Sequence, residues 1–245
     1  MKRFLPLIVL ILGALVLVAV FFVIKGRKPA NTNESEETVA ETPFEKRPVT
    51  SLTPSADGHW LKLKIDKMGT LGKSLDYELL YSLPDGRTQG VPGTIDVSSI
   101  SNVERDLLLG SESSGKFRYD EGVKEGTLTL KFRDSKGHLT AKFSTTFSLF
   151  SGTDELVSND QKFKYILDKV DPKAFFLVME TFGAPEGYPA GITSGPYGVF
   201  SVKETKVAGK ATFPSGKIQQ FVSGKWSTVT DGKSQTLGIF VASSE

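Results

Sequence analysis

Few side chains in this 245-residue chain could do chemistry, and most of them stand where chemistry is hard to perform. Glu180 is the one acid inside the apolar run Ala174–Phe182 (AFFLVMETF). A carboxyl on a strand buried on both faces is desolvated, which raises its pKa toward the range a general acid needs. Glu180 or Glu186, with a second carboxylate about 5–10 Å away across a cleft, would make a carbohydrate hydrolase. The simpler reading, adopted here, is that the strand emerges into solvent by Glu180.

The chain has two histidines. His59 and His138 both sit at turns, where neither a Ser-His-Asp triad nor a histidine metal site is expected. Ser113-Ser114-Gly115-Lys116 has the S-x-x-K spacing of penicillin-recognising enzymes. That chemistry needs a helix to bring serine and lysine to one face, and a Gly/Ser stretch between strands predicts a turn instead. Asp154, Glu155, Asn159 and Asp160 offer oxygens for calcium, but in no order that matches a calcium loop. The reading therefore assigns no catalytic residue, no metal ligand and no cofactor.

The most unusual stretch is Gly183–Gly198 (GAPEGYPAGITSGPYG), with five glycines, three prolines and two tyrosines. Long loops in compact domains are often functional, and tyrosine offers apolar area with a polar edge. Tyr188, Tyr197 and Glu186 are the candidate binding residues, with a glycan or a protein as partner. The competing reading is that both tyrosines plug the loop onto its own domain.

These residues must be positioned by strands. From Trp60 onward the apolar pattern has period two, and no stretch shows a sustained helical stripe. Leu61, Leu63 and Ile65 alternate with lysines, and Tyr77, Leu79 and Tyr81 alternate up to the turn Leu83-Pro84-Asp85-Gly86. Leu128, Leu130 and Phe132 lead through Asp134-Ser135-Lys136-Gly137 into Leu139–Leu149, the best hairpin in the sequence. Alternation stops at 151–161, then Phe163–Leu167 reads as a strand. Ala174–Phe182 reads as a central strand, apolar on both faces. Ile218–Val229 reads as a second hairpin, and Leu237–Val241 as the closing strand. Short strands with frequent turns predict an all-β region of antiparallel β-sandwich type. Two sandwich-like units are expected, 59–152 and 153–245, with one larger domain over 59–245 as the alternative.

The head so defined hangs from Phe4–Ile24, 21 residues without a charge, of which 17 are Leu, Ile, Val or Phe. As a helix it is about 31 Å long, enough to span a bilayer core, and its insertion is favoured by about 5–10 kcal/mol. It exceeds the length of a secretory h-region and ends at no small-x-small site, so an uncleaved signal anchor is expected after the short tail 1–3. Residues 25–58 read as a disordered acidic stalk rich in Pro, Ser and Thr, because so few apolar side chains cannot offset ordering entropy. Five basic residues flank the helix, while 29–58 carries six acids against two bases.

The expected layout is a single-pass cell-membrane protein, held in the lipid bilayer by residues 4–24, with an extracytoplasmic C-terminal head. A net charge of +2 lacks the basic surplus of a nucleic-acid binder. Without cysteine there is no disulfide, thiolate site or lipoprotein anchor. The function expected first is a non-enzymatic binding or structural module of the cell envelope. The alternatives are the carbohydrate hydrolase above and an assembly factor whose membrane helix makes the specific contacts.

Overall fold

The computed structural model describes residues 39–69, 71–202 and 207–244. The expected membrane helix, Phe4–Ile24, and the first part of the expected stalk lie outside the described residues. Among the described residues no helix is long and apolar enough to cross a membrane. Val39–Glu245 is one compact unit.

All the regular structure here is antiparallel β apart from two single 3-10 turns, Phe44–Lys46 and Thr230–Gly232. In chain order, β1 (Val49–Pro54) pairs with β2 (Trp60–Asp66). β3 (Ser74–Ser82) and β4 (Thr88–Asp96) form a hairpin across Pro84-Asp85-Gly86. There Asp85 accepts the Arg87 N–H (3.1 Å), a side-chain turn bond that fixes the reversal. β5 (Val103–Leu108) joins β2, and β6 (Gly110–Ser113) pairs with β7 (Lys116–Tyr119). β8 (Glu125–Arg133) and β9 (Leu139–Ser151) form the longest hairpin. Its turn is closed by Asp134, which accepts from the N–H groups of Lys136 (2.8 Å) and His138 (3.0 Å). The second half adds β10 (Glu155–Val157), β11 (Lys164–Leu167), β12 (Phe175–Glu180) and β13 (Ile192–Phe200). It closes with β14 (Gly209–Thr212), β15 (Lys217–Val222), β16 (Lys225–Thr228), β17 (Lys233–Ser234) and β18 (Gly238–Ser243).

Nine of these strands make one sheet in the order β16-β15-β18-β13-β12-β9-β8-β3-β4. β12 is its middle strand, and its side chains alternate between two separate cores. Leu177 and Met179 belong with Leu63, Ile65, Leu128 and Phe147. Phe176 and Val178 belong with Phe163, Tyr165, Tyr197 and Phe240. The small sheet β1-β2-β5 covers one face over the β3–β12 half, and the small sheet β10-β11-β14-β17 covers the opposite face over the β12–β15 half. The result is a β-sandwich arrangement, offset left and right of β12. The long sheet passes without a break across residue 153, since β9 pairs directly with β12.

Two expectations are corrected. The disordered stalk does not extend to residue 58: β1 lies within it, and Leu52 is fully buried against the first core. Averaged over 30 residues the stretch is polar, but Val49–Pro54 alone has the β-branched residues and alternating burial of a strand. The second correction concerns Gly183–Gly198, whose last seven residues belong to β13. Pro196 is accommodated there because the register with β18 shifts between Ser194 and Tyr197. Such an irregularity lets proline sit inside a sheet without breaking a ladder bond.

Candidate functional site

Because the small sheets cover opposite halves, each face of the long sheet is left partly open. On the face that carries the first core, β13, β18 and β15 run out beyond β1. The register puts Gly198 opposite Ile239 and Ile239 opposite Phe221. With Phe200, two residues from Gly198, these side chains line one surface. Val202 continues it and is 52% exposed. This apolar floor meets the outer face of β1-β2, which presents Ser51, Thr53, Lys62 and Lys64, in a groove of ≈ 810 Å³. The volume lies within the range of about 300–1,000 Å³ usual for ligand sites.

Charge in the groove is balanced. Lys62, Lys64 and Lys67 face Asp66, Glu104 and Glu186. Two of the lysines are already paired, Lys62 with Asp106 (2.9 Å) and Lys64 with Asp66 (3.2 Å). The groove is therefore no trap for an anion. Beneath β1, Thr50 shares the inward face with the fully buried Leu52, and its Oγ1 has no hydrogen-bond partner, the one such buried side-chain atom among the described residues. A buried hydroxyl left unpaired costs about 1–3 kcal/mol.

The loop between β12 and β13 closes one end. Its shape is imposed from three sides. Trp226 donates its Nε1–H to Pro185 O (3.3 Å), and Lys67 Nζ donates to Ala184 O (3.4 Å). Tyr188 lies under Lys67 (5.6 Å from ring centroid to Nζ) and edge-on to Phe44 (5.3 Å). Of the three candidate binding residues, the structure thus brings Glu186 to the groove and Tyr188 against its lining residue Lys67. Glu186 is an exposed lining residue, and Tyr188 is half-buried beside it.

Tyr197 is elsewhere. It is 4% exposed, stacked on Phe163 (5.3 Å, 6° between planes) in the second core. Its hydroxyl donates to Asp160 Oδ2 (2.5 Å). Burial, together with Asp160, pushes the Tyr197 pKa well above its ordinary value. Asp160 moves the other way. Burial opposes its ionisation, but hydrogen bonds from Ser158 and Tyr197 outweigh that and hold the carboxyl below its usual range. Glu180, opposite Tyr197 in the ladder, is raised by desolvation and then by the Asp160 charge, although its side chain still reaches solvent.

The remaining candidates are spread apart. His59 Nδ1 meets Asp57 Oδ2 (3.3 Å) and His138 Nδ1 meets Asp134 Oδ2 (3.2 Å), each at a turn. Ser113 and Lys116 pair across the β6–β7 turn. Glu155 is bound to Lys164, while Asp160 serves Ser158 and Tyr197. No cluster of three or more metal-ligating side chains occurs among the described residues. Sequence reasoning missed Phe200, Phe221 and Ile239. Nothing in their runs marks the face they share as open, and only the position of β1-β2-β5 leaves it so.

Comparison with protein-family models, with curated proteins and with solved structures gives no match. Function therefore rests on the site's own chemistry.

Proposed function

We propose that this protein is a single-pass, membrane-anchored binding module of the cell envelope, whose groove beside β1 holds an extended segment of another polypeptide outside the membrane. In this reading Phe4–Ile24 is the anchor and the residues after it are a tether. The observation that carries it is the open apolar floor of Phe200, Phe221 and Ile239 facing a polar wall of balanced charge. An extended peptide sends successive side chains to opposite sides. One with alternating apolar and charged residues would lay the apolar set on the floor and the charged set along Lys62, Lys64 and Glu104.

The test is fluorescence of the full chain in lipid nanodiscs, titrated with eight-residue peptides that alternate valine with lysine or glutamate. Trp226 lies against Phe221 (5.4 Å) and reports occupation of the floor. Saturable change is expected with the alternating peptides and not with peptides of the same composition in blocks, and Phe221→Lys should abolish it. Equal response to both kinds, or to an alkyl surfactant alone, overturns the peptide reading.

A second reading, carbohydrate hydrolysis, has one observation in its favour. Glu180 and Asp160 are pushed in opposite directions, the pattern expected of an acid and a base. A glycosidase activity lost in Glu180→Gln would establish it in place of the first.

A further inference from the structure

Among the described residues the hairpin β6–β7 pairs with no other strand, and every residue of β7 is exposed. It nevertheless carries two aromatic side chains, Phe117 (45% exposed) and Tyr119 (40%). Two residues apart on a strand, they share one face, while Lys116 and Arg118 take the other. Their rings lie within 5° of parallel, with centroids 6.1 Å apart. His59 stacks flat on Tyr119 (4.1 Å, 5°), and Trp60 stands edge-on to Phe117 (5.6 Å). Four rings from two separate segments have thus been brought into one ordered row at the surface. Exposed apolar patches built from several side chains mark interaction sites.

What continues the row is polar. His59 also lines a pocket of ≈ 530 Å³ together with Asp57, Asp120, Glu121 and Lys124. Asp120 directly follows Tyr119, and it is held in place by the Tyr81 hydroxyl (2.9 Å). Asp57 is fixed by Ser55 Oγ (2.5 Å) and by His59. Three carboxylates against one lysine disfavour phosphate or any other anion, so neither a nucleic acid nor an anionic lipid headgroup matches. Ionised carboxylates accept hydrogen bonds and donate none. They suit a ligand rich in hydroxyl donors and free of negative charge. Flat apolar faces for the rings and hydroxyl edges for the acids describe a sugar.

We infer that the row of His59, Tyr119 and Phe117, with the acidic pocket at its end, is a binding site for a neutral oligosaccharide. Sugar rings lie against Tyr119 and Phe117, and the terminal residue donates hydroxyl hydrogens to Asp57, Asp120 and Glu121. The site is separate from the groove and independent of what the groove holds.

The experiment is isothermal titration of the full chain in zwitterionic nanodiscs with chitohexaose and with cellohexaose. Binding of at least one is expected. Phe117→Ala and Tyr119→Ala should each weaken it about tenfold, the loss typical of truncating a stacked contact residue. Phe117→Tyr should retain it, as should the groove variant Phe221→Lys. Phe117 and Tyr119 are exposed enough that unchanged thermal unfolding of the alanine variants will separate lost binding from lost folding. Failure of both sugars to bind overturns the inference, and so does binding that survives both alanine variants. Phe117-dependent sedimentation with phosphatidylglycerol vesicles in place of sugar binding would assign the face to a membrane surface and overturn it equally.

Discussion

Removing one oxygen from Tyr197 tests the electrostatics of the second core. Tyr197→Phe keeps the ring on Phe163 and deletes only the hydroxyl that donates to Asp160. A hydrogen bond to a charged group contributes about 1.5–3 kcal/mol. Asp160 is 39% exposed and keeps bonds from the Ser158 hydroxyl (2.6 Å) and the Lys162 N–H (3.2 Å), so solvent and neighbours take up part of the loss. The lower end applies, about 1.5 kcal/mol, or about 3–6 °C in Tm for a unit of this size. The pH dependence carries the sharper test. Asp160 is held below its ordinary 3.8, so the stability it confers is complete above that value and is lost as pH falls through the lowered one. The difference between wild type and Tyr197→Phe, read from urea unfolding of residues 39–245, should therefore be full at pH 6 and shrink towards pH 2.5. Equal differences at the two pH values would refute the charge-assisted bond. A difference below about 0.5 kcal/mol at pH 6 would show that Asp160 is satisfied without it.

Two further variants probe polar groups beside the two cores. Glu180 is raised by desolvation, so the folded state loses stability as pH climbs through the raised value. Glu180→Gln should then be more stable than wild type at pH 7 and equal to it below the ordinary value of 4.5, measured by thermal unfolding across that window. Thr50→Val replaces the unpaired hydroxyl with a methyl of the same shape and should raise the unfolding free energy by about 1 kcal/mol, read as a higher urea midpoint at constant m-value. Destabilisation by Thr50→Val would mean that the hydroxyl has a partner in the unliganded protein.

The parts of the fold legible in the sequence are those decided locally. Asp134 and Asp85 make side-chain turn bonds within a few residues, so their hairpins can be read from short stretches. Ala174–Phe182 reads as central because a strand with apolar residues on both faces must be covered twice, and β12 is. β13 was hidden by Gly195 and Pro196, which read as loop unless one knows that the register with β18 shifts there. β1 was hidden by the polar company on its N-terminal side. The candidate site was half legible. Composition drew attention to Glu186 and Tyr188, but it gave Tyr197 the same weight, and only burial tells them apart. The groove floor was not legible at all, since nothing local distinguishes a covered apolar face from an open one.

The place of β18 has a consequence for how the protein is made. Residues 238–243 lie between β13 and β15, and Phe240 completes the second core against Phe163 and Tyr165. A chain growing from its N-terminus can finish β3, β4, β8 and β9 early. It cannot join β13 to β15 until residue 243 has emerged. The 43 residues after Phe200 take about 2–9 s to synthesise. Throughout that interval β13 shows an unpaired edge and an apolar face, the template for pairing with another nascent copy. Crowded ribosomes are therefore the setting in which this sequence is most exposed to error. A stop anywhere before residue 238 leaves not a shortened protein but an open sheet.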